Sequence, residues 1–289
     1  MLNQRRLSSS EGQMKKVYNP KEYWSKHLEE NFSLSGVGFT QCGKGYNIWK
    51  YRMRRKVLER VISKYKIDVP NVKILDIGCG SGFYVDIWQR EGMKSLVGID
   101  ITAISARELS AKYPNFDFYE ADITSPALIN TFPSNQRKFD IITAFDVLFH
   151  IVDDNKFEQA IKNVSMLCSE DALIFMTDIF LHKRPYVIFH QKSRLLKDYV
   201  QVLSKNGIRI INRIPVHYLL NAPLDISNEL LQKILLRLWW GSVVRMVERK
   251  THLLEPCFFG ADLALTRLFR ESPSTEMIIC RPVGKVKEL

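Results

Sequence analysis

Gly78-Cys79-Gly80-Ser81-Gly82 lies between an apolar run, Val72–Ile77, and a helical pattern that begins at Phe83. No other segment constrains the chain as much. Glycines at alternate positions let the backbone turn sharply and leave no Cβ where a ligand must approach. The helix that opens beyond them offers free N–H groups to a carboxylate or phosphate. Strand, glycine turn and helix in that order predict a parallel α/β sheet with a ligand at the strand's carboxyl end. The spacing discriminates among ligands. A dinucleotide fingerprint needs G-x-G-x-x-G, and the position of its third glycine is occupied by Phe83.

The flanking segments extend the pattern. Apolar runs at Ser95–Ile99, Phe116–Glu120, Phe139–Ala144 and Ala172–Thr177 read as strands. Helical patterns separate them at Phe83–Glu91, at Ala103–Lys112 before Pro114, and at Asp154–Leu167. Lys192–Lys205 reads as a further helix closed by Asn206-Gly207, Ile208–Leu219 as a β-rich run and Glu276–Cys280 as a last strand. The expected fold is therefore α/β: a Rossmann-like, doubly wound, mainly parallel seven-stranded sheet, with a helical N-terminal extension and a helical insertion before the last strand. The expected organisation is a mobile polar tail at 1–17, a helical cap at 18–70, a core at 71–220 with 275–283, and an insertion at 221–274. Within the cap, a helix starts near Pro20 and carries Tyr23, Trp24 and Leu28; after a glycine-rich loop, Gly36–Gly45, a second runs from Tyr46 to Tyr65. Tyr23, Trp24, Tyr46 and Trp49 are placed to wall a site from that side. The insertion holds an apolar helix, Asn228–Val247, with Trp239, Trp240, Arg237 and Arg245, and Arg249 just beyond it.

ILDIGCGSGFY (74–84), LVGIDIT (96–102), FYEADIT (118–124) and FDIITAFDVLFHI (139–151) follow one another in the order and spacing of four motifs of a known family. Together they resemble class I S-adenosylmethionine-dependent methyltransferases, across roughly 71–182. The resemblance implies S-adenosylmethionine as cofactor. It implies that Gly78, Cys79, Gly80, Gly82 and Tyr84 form the cofactor turn and that Asp76 orients it toward the methionine end. Asp100 would accept the ribose hydroxyls in a bidentate contact with Ile101 beside it, Asp122 would meet the adenine amino group with Ile123 packing nearby, and the Phe145 backbone would face the sulfonium region. In this family a basic residue from an N-terminal helix often meets the cofactor carboxylate; of Arg52, Arg54 and Arg55, Arg52 is the choice made from sequence. A close hairpin usually joins the last two strands, so the insertion is a departure, expected to act as a lid, a homodimer contact or a peripheral membrane contact.

Methyl transfer from a sulfonium is an in-line displacement, and a hydroxyl acceptor benefits from a base. His150, beyond the fourth strand, is the expected base; Asp178 and His182, after the fifth, are the alternatives, and Asp146 would assist or bind a metal. No multi-carboxylate or C-x-x-C pattern predicts a metal. The N-terminal stretches EYWSKHLEENFSLSGVGF and GYNIWKYRMRRKVLERVI are loosely similar to bacterial methyltransferases of natural-product or surface-sugar pathways, which points to a small-molecule or glycan hydroxyl. A net charge of +11 keeps an RNA acceptor in view. The segment AFDVLF, where base-amine methyltransferases carry Asn/Asp-Pro-Pro-Tyr, argues against one. A lipid or quinone acceptor at a membrane surface and a non-catalytic cofactor-binding protein complete the alternatives. Five cysteines without paired spacing, a polar N-terminus and no apolar run long enough to span a bilayer predict a cytoplasmic protein.

Overall fold

A computed structural model describes residues 18–39, 42–245 and 255–283. The chain opens with α1 (Pro20–Glu30), α2 (Leu34–Val37) and α3 (Lys44–Lys64). The Asn19 side chain accepts from the Glu22 N–H, and Pro20 sits where a helix has no use for its missing N–H. Then come β1 (Lys73–Ile77), α4 (Phe83–Arg90), β2 (Ser95–Asp100), α5 (Ala103–Lys112), β3 (Asp117–Glu120), β4 (Phe139–Phe145), α6 (Asp154–Leu167) and β5 (Cys168–Asp178). A hairpin, β6 (Tyr186–Ile188) and β7 (Gln191–Ser193), precedes α7 (Leu196–Lys205) and β8 (Ile208–Pro215). The insertion contributes α8 (Glu229–Trp239), continued by a π-turn through Val244, and α9 (Glu255–Leu268), before β9 (Glu276–Pro282) closes the sheet.

The seven-stranded sheet has the order β3-β2-β1-β4-β5-β9-β8. The first five of these strands pair in parallel, and β9 pairs antiparallel with both β5 and β8. Alternation along the strands builds a core on each face. Ile74, Leu96, Ile141 and Phe175 point to one side, against Met53, Val57 and Val61 of α3. Leu75, Val97, Ile142 and Ile174 point to the other, against Phe157, Ile161 and Val164 of α6. The strand order reverses its direction of growth at β1 and β4, so a crevice opens beyond their carboxyl ends.

Two expected elements are corrected. The helix read from Lys192 starts at Leu196, because Tyr186–Ser193 is a hairpin. The β-run read to Leu219 stops at Pro215; the Val216 and His217 N–H groups turn instead to the Thr275 carbonyl. The insertion packs on the N-terminal helices: the Trp239 indole N–H donates to the Leu219 carbonyl at 2.7 Å, and the Tyr46 hydroxyl to that of Leu220 at 2.6 Å. The tail at 1–17, the expected helix end at 246–247 and Arg249 lie outside the described residues.

Candidate active site

A cavity of about 1000 Å³ occupies the crevice, bounded by the carboxyl ends of β1, β2, β4 and β5, by α1 and α3, and by α8. Its volume is at the upper end for a single small-molecule pocket, enough for a cofactor with an acceptor beside it.

One end is built from the glycine turn and the β2 terminus. Gly78, Gly80 and Gly82 have φ of +69°, +51° and +82°. A Cβ on Gly78 would lie 2.2 Å from Val147 Cγ2, so the turn is closed against the segment after β4. The Asp100 carboxylate accepts the Gly80 N–H at 3.0 Å through Oδ2, and the Thr102 N–H and hydroxyl at 2.9 and 2.7 Å through Oδ1. Burial raises its pKa, and these donors oppose the rise. With three of its roughly four acceptor sites filled, this carboxylate keeps one lone pair, on Oδ2, for a ribose hydroxyl. Ile101, Asp122 and Ile123 line the same end, with Asp122 Oδ1 accepting the Thr124 N–H at 2.8 Å. Gly82 is off the wall: it opens α4, where a Cβ would meet Leu109 Cδ2 at 2.6 Å.

In the middle, the Tyr84 and Phe145 rings lie 4.2 Å apart between centroids. Asp76 is buried beneath the turn. Its Oδ1 accepts from the Thr143 hydroxyl at 2.6 Å, while Oδ2 has no hydrogen-bond partner among the described residues. Burial pushes this carboxyl up to about 7. Asp76 lies behind the cavity wall rather than on it, so its orphaned oxygen would meet a cofactor's ammonium group only through the turn's backbone or a water. Cations of α3 face the same region. Arg54 is buried and ion-paired with Asp146, whose φ is +59° and whose N–H bonds Thr177 Oγ1 at 2.9 Å. Lys50, one turn earlier, is buried on the cavity wall, and burial lowers its pKa to about 7.

Arg52 is a correction. It is exposed and its guanidinium lies 4.4 Å over the Trp49 ring. At 100° per residue, Arg54 and Lys50 share the inward stripe with Tyr46 and Val57, and Arg52 points away. Two cations on an otherwise buried stripe were the available signal.

The far end is aromatic. His150 lines the cavity, with Trp24 edge-on at 4.7 Å and the His190 ring stacked at 5.8 Å. His150 Nδ1 sits 2.9 Å from the His190 carbonyl oxygen, which can only accept, so Nδ1 carries the hydrogen and Nε2 the lone pair. Burial pushes this imidazole down to about 4. Asp178 also reaches the wall, but its oxygens are committed to the Ile179 N–H and to the Tyr199 and Ser193 hydroxyls. His182 is a second correction. It is exposed, outside the cavity wall, and bonded to Asp225 at 2.6 Å, because the chain turns away after Asp178. His190, on a hairpin that the sequence pattern does not reveal, is the cavity residue that contacts His150 through both its carbonyl and its ring.

Residues 74–171 match the sequence model of a family described as "Methyltransferase domain". Over 129 residues the chain is 30% identical to an mRNA cap guanine-N(7) methyltransferase of Schizosaccharomyces pombe, covering 42% of this chain and 34% of that protein. Over 140 residues it is 30% identical to a ubiquinone biosynthesis O-methyltransferase of Pelagibacter ubique, covering 46% and 55%. The chain thus spans between a third and about half the length of these two relatives. In fold it is similar to magnesium protoporphyrin IX methyltransferase from Synechocystis PCC 6803, solved with bound S-adenosylmethionine, at a TM-score of 0.50 and 17% identity over 69% of this chain and 91% of that one.

Proposed function

We propose that this chain, which belongs by its core to the class I S-adenosylmethionine-dependent methyltransferases, transfers a methyl group to a hydroxyl of a small molecule or glycan. S-adenosylmethionine is the cofactor, and when bound it supplies a methyl group on a sulfonium. The chain's own residues have three tasks. Asp100, Ile101, Asp122 and Ile123 hold the adenosyl end. Gly78, Cys79 and Gly80 receive the methionine end, with Asp76 orienting the turn from behind and Tyr84 and Phe145 packed beside it. His150 Nε2 takes the proton from the acceptor hydroxyl as it becomes nucleophilic.

The observation that carries the oxygen acceptor is the His190 carbonyl on His150 Nδ1. It leaves an imidazole that is neutral at physiological pH with a lone pair available at the cavity wall. A ring nitrogen with a free lone pair needs no such base, whereas a hydroxyl benefits from one; an activated carbon also releases a proton, so the product's carbon-13 spectrum separates oxygen from carbon. The relatives act on different acceptors, so this geometry, rather than likeness, supports the choice. The aromatic wall of Tyr23, Trp24 and Trp239 favours an acceptor with a flat or apolar face, and a sugar ring meets that condition.

The test is transfer of a labelled methyl group from S-adenosylmethionine into fractionated small-molecule and glycan pools, followed by carbon-13 spectroscopy of the product. The expected result is a methoxyl signal, lost by at least about 100-fold in His150→Ala with cofactor affinity retained. A methyl on nitrogen or carbon, or unchanged turnover in the variant, contradicts the proposal.

A further inference from the structure

Two stretches around the cavity mouth leave large apolar side chains in solvent. The hairpin β6–β7 exposes Val187 (59%) and Phe189 (55%). Helix α8 exposes Leu230 (68%), Ile234 and Leu238 (60%), which at a spacing of four residues form one stripe. The stretches belong to one face. The Arg184 guanidinium, just before β6, binds both the Glu229 carboxylate and the Gln232 side chain of α8. The cavity opens on that face: Tyr186, Ile188 and Trp240 line it and are each more than a third exposed, so they form its rim.

The charge on this face is mainly positive. Lys183, Lys233 and Arg237 are exposed beside the apolar stripe. Of the nearby acids, Glu229 is ion-paired with Arg184, and Asp225 accepts the His182 backbone N–H and lies within hydrogen-bond reach of its ring. A helix with its apolar and basic residues both turned outward, its inward side held by Trp239 and Gln232, suits an interface where acyl chains lie under anionic headgroups. A water-facing helix gains nothing from Leu230, Ile234 and Leu238, and a contiguous apolar patch of this kind marks an interaction surface.

We propose that α8 and the β6–β7 hairpin seat the protein on an anionic lipid surface, with the cavity mouth turned toward the bilayer. The occupant is a membrane and not a second copy of the chain, because a self-contact on this face would bring two sets of Lys183, Lys233 and Arg237 together. This inference is independent of which acceptor atom is methylated. It supplies a route by which an acceptor anchored in, or dissolved in, a membrane reaches Trp239 and Trp240 without crossing water.

The test is co-sedimentation of the full chain with phosphatidylcholine vesicles, with and without phosphatidylglycerol. The chain is expected to pellet with the anionic vesicles and to remain in solution with the neutral ones. Leu230→Ser/Ile234→Ser/Leu238→Ser and, separately, Lys233→Glu/Arg237→Glu are expected to lower the bound fraction at least about tenfold. Cofactor titration of both variants should match the parent, which shows that they remain folded. No pelleting of the parent, equal pelleting of either variant, or a dimer in sedimentation velocity that the serine variant dissociates overturns the proposal.

Discussion

Asp100 accepts the backbone N–H of Gly80 at 3.0 Å, across the gap between the end of β2 and the turn after β1. The carboxylate that would receive the ribose therefore also fixes the middle of the glycine turn. The two conspicuous motifs of the sequence are one hydrogen-bonded unit, and losing either side distorts the other.

The glycines of that unit are not equivalent. At Gly78 a Cβ would fall 2.2 Å from the stiff Val147 side chain, at a φ of +69°. At Gly80 the nearest atom would be Val37 Cγ1 at 3.3 Å, with a φ of +51°. Gly78→Ala should cost roughly 2–4 kcal/mol, from left-handed strain and overpacking together. Gly80→Ala should cost roughly 1–2 kcal/mol, from the conformation. Urea denaturation of both variants checks the order; equal losses would show that Val147 yields freely. Gly80→Val should also abolish cofactor binding, since its side chain enters the turn.

Sheet and turn were legible because both rest on local rules: apolar period, helix caps and left-handed glycines. The strands from Lys73 to Asp178 appear close to where their patterns predict. The β6–β7 hairpin escaped notice because its two-residue turn is Phe189-His190, with none of the glycine or asparagine that usually marks one. Its consequence, the His190 carbonyl orienting His150, was hidden with it. Charge alone does not separate Arg52 from Arg54; the helical phase does, exposing one and burying the other. His182 was placed near the site by its distance in sequence from β5, whereas Asp225 of the insertion holds it elsewhere.

That phase gives a paired test. Arg54→Met strands the Asp146 carboxylate in a mostly buried setting and should cost roughly 3–5 kcal/mol of stability. Arg52→Met removes an exposed cation lying on Trp49 and should stay within about 0.5–1 kcal/mol. Thermal and urea unfolding of the two proteins side by side checks this, and similar losses would refute the assignment of faces.

His150 makes a kinetic prediction. Its pKa is pushed down to about 4 by burial, so the lone pair on Nε2 persists well below the pH at which an ordinary histidine charges. The acid limb of kcat/KM should therefore fall near pH 4–5 rather than near 6.5. A limb at 6.5 that disappears in His150→Ala would mean that the imidazole is less enclosed than its neighbours imply. The same group gives a stability term with a definite sign. Its folded pKa is below the unfolded one, so stability is present above about 6.5 and is lost as pH falls toward 4.

Asp178 acts with the opposite sign. Burial raises its carboxyl to about 7, above the unfolded value of about 3.9. Its contribution is complete below pH 3.9 and is lost as pH rises through 7. Asp178→Asn, which keeps a partner for Tyr199, should flatten the fall in urea midpoint between about pH 4 and 8. An unchanged slope would assign that fall to Asp76, whose carboxyl burial also raises to about 7.

The central claim is that the glycine turn and Asp100 together bind S-adenosylmethionine. Isothermal titration of the full chain with S-adenosylhomocysteine, parent against Asp100→Ala, tests it most directly. The account predicts saturable one-site binding by the parent and a loss of at least about 100-fold in the variant, from a lost charge-assisted hydroxyl contact and the released Gly80 N–H that distorts the turn. Absence of binding by the parent, or equal affinity in both proteins, would contradict it.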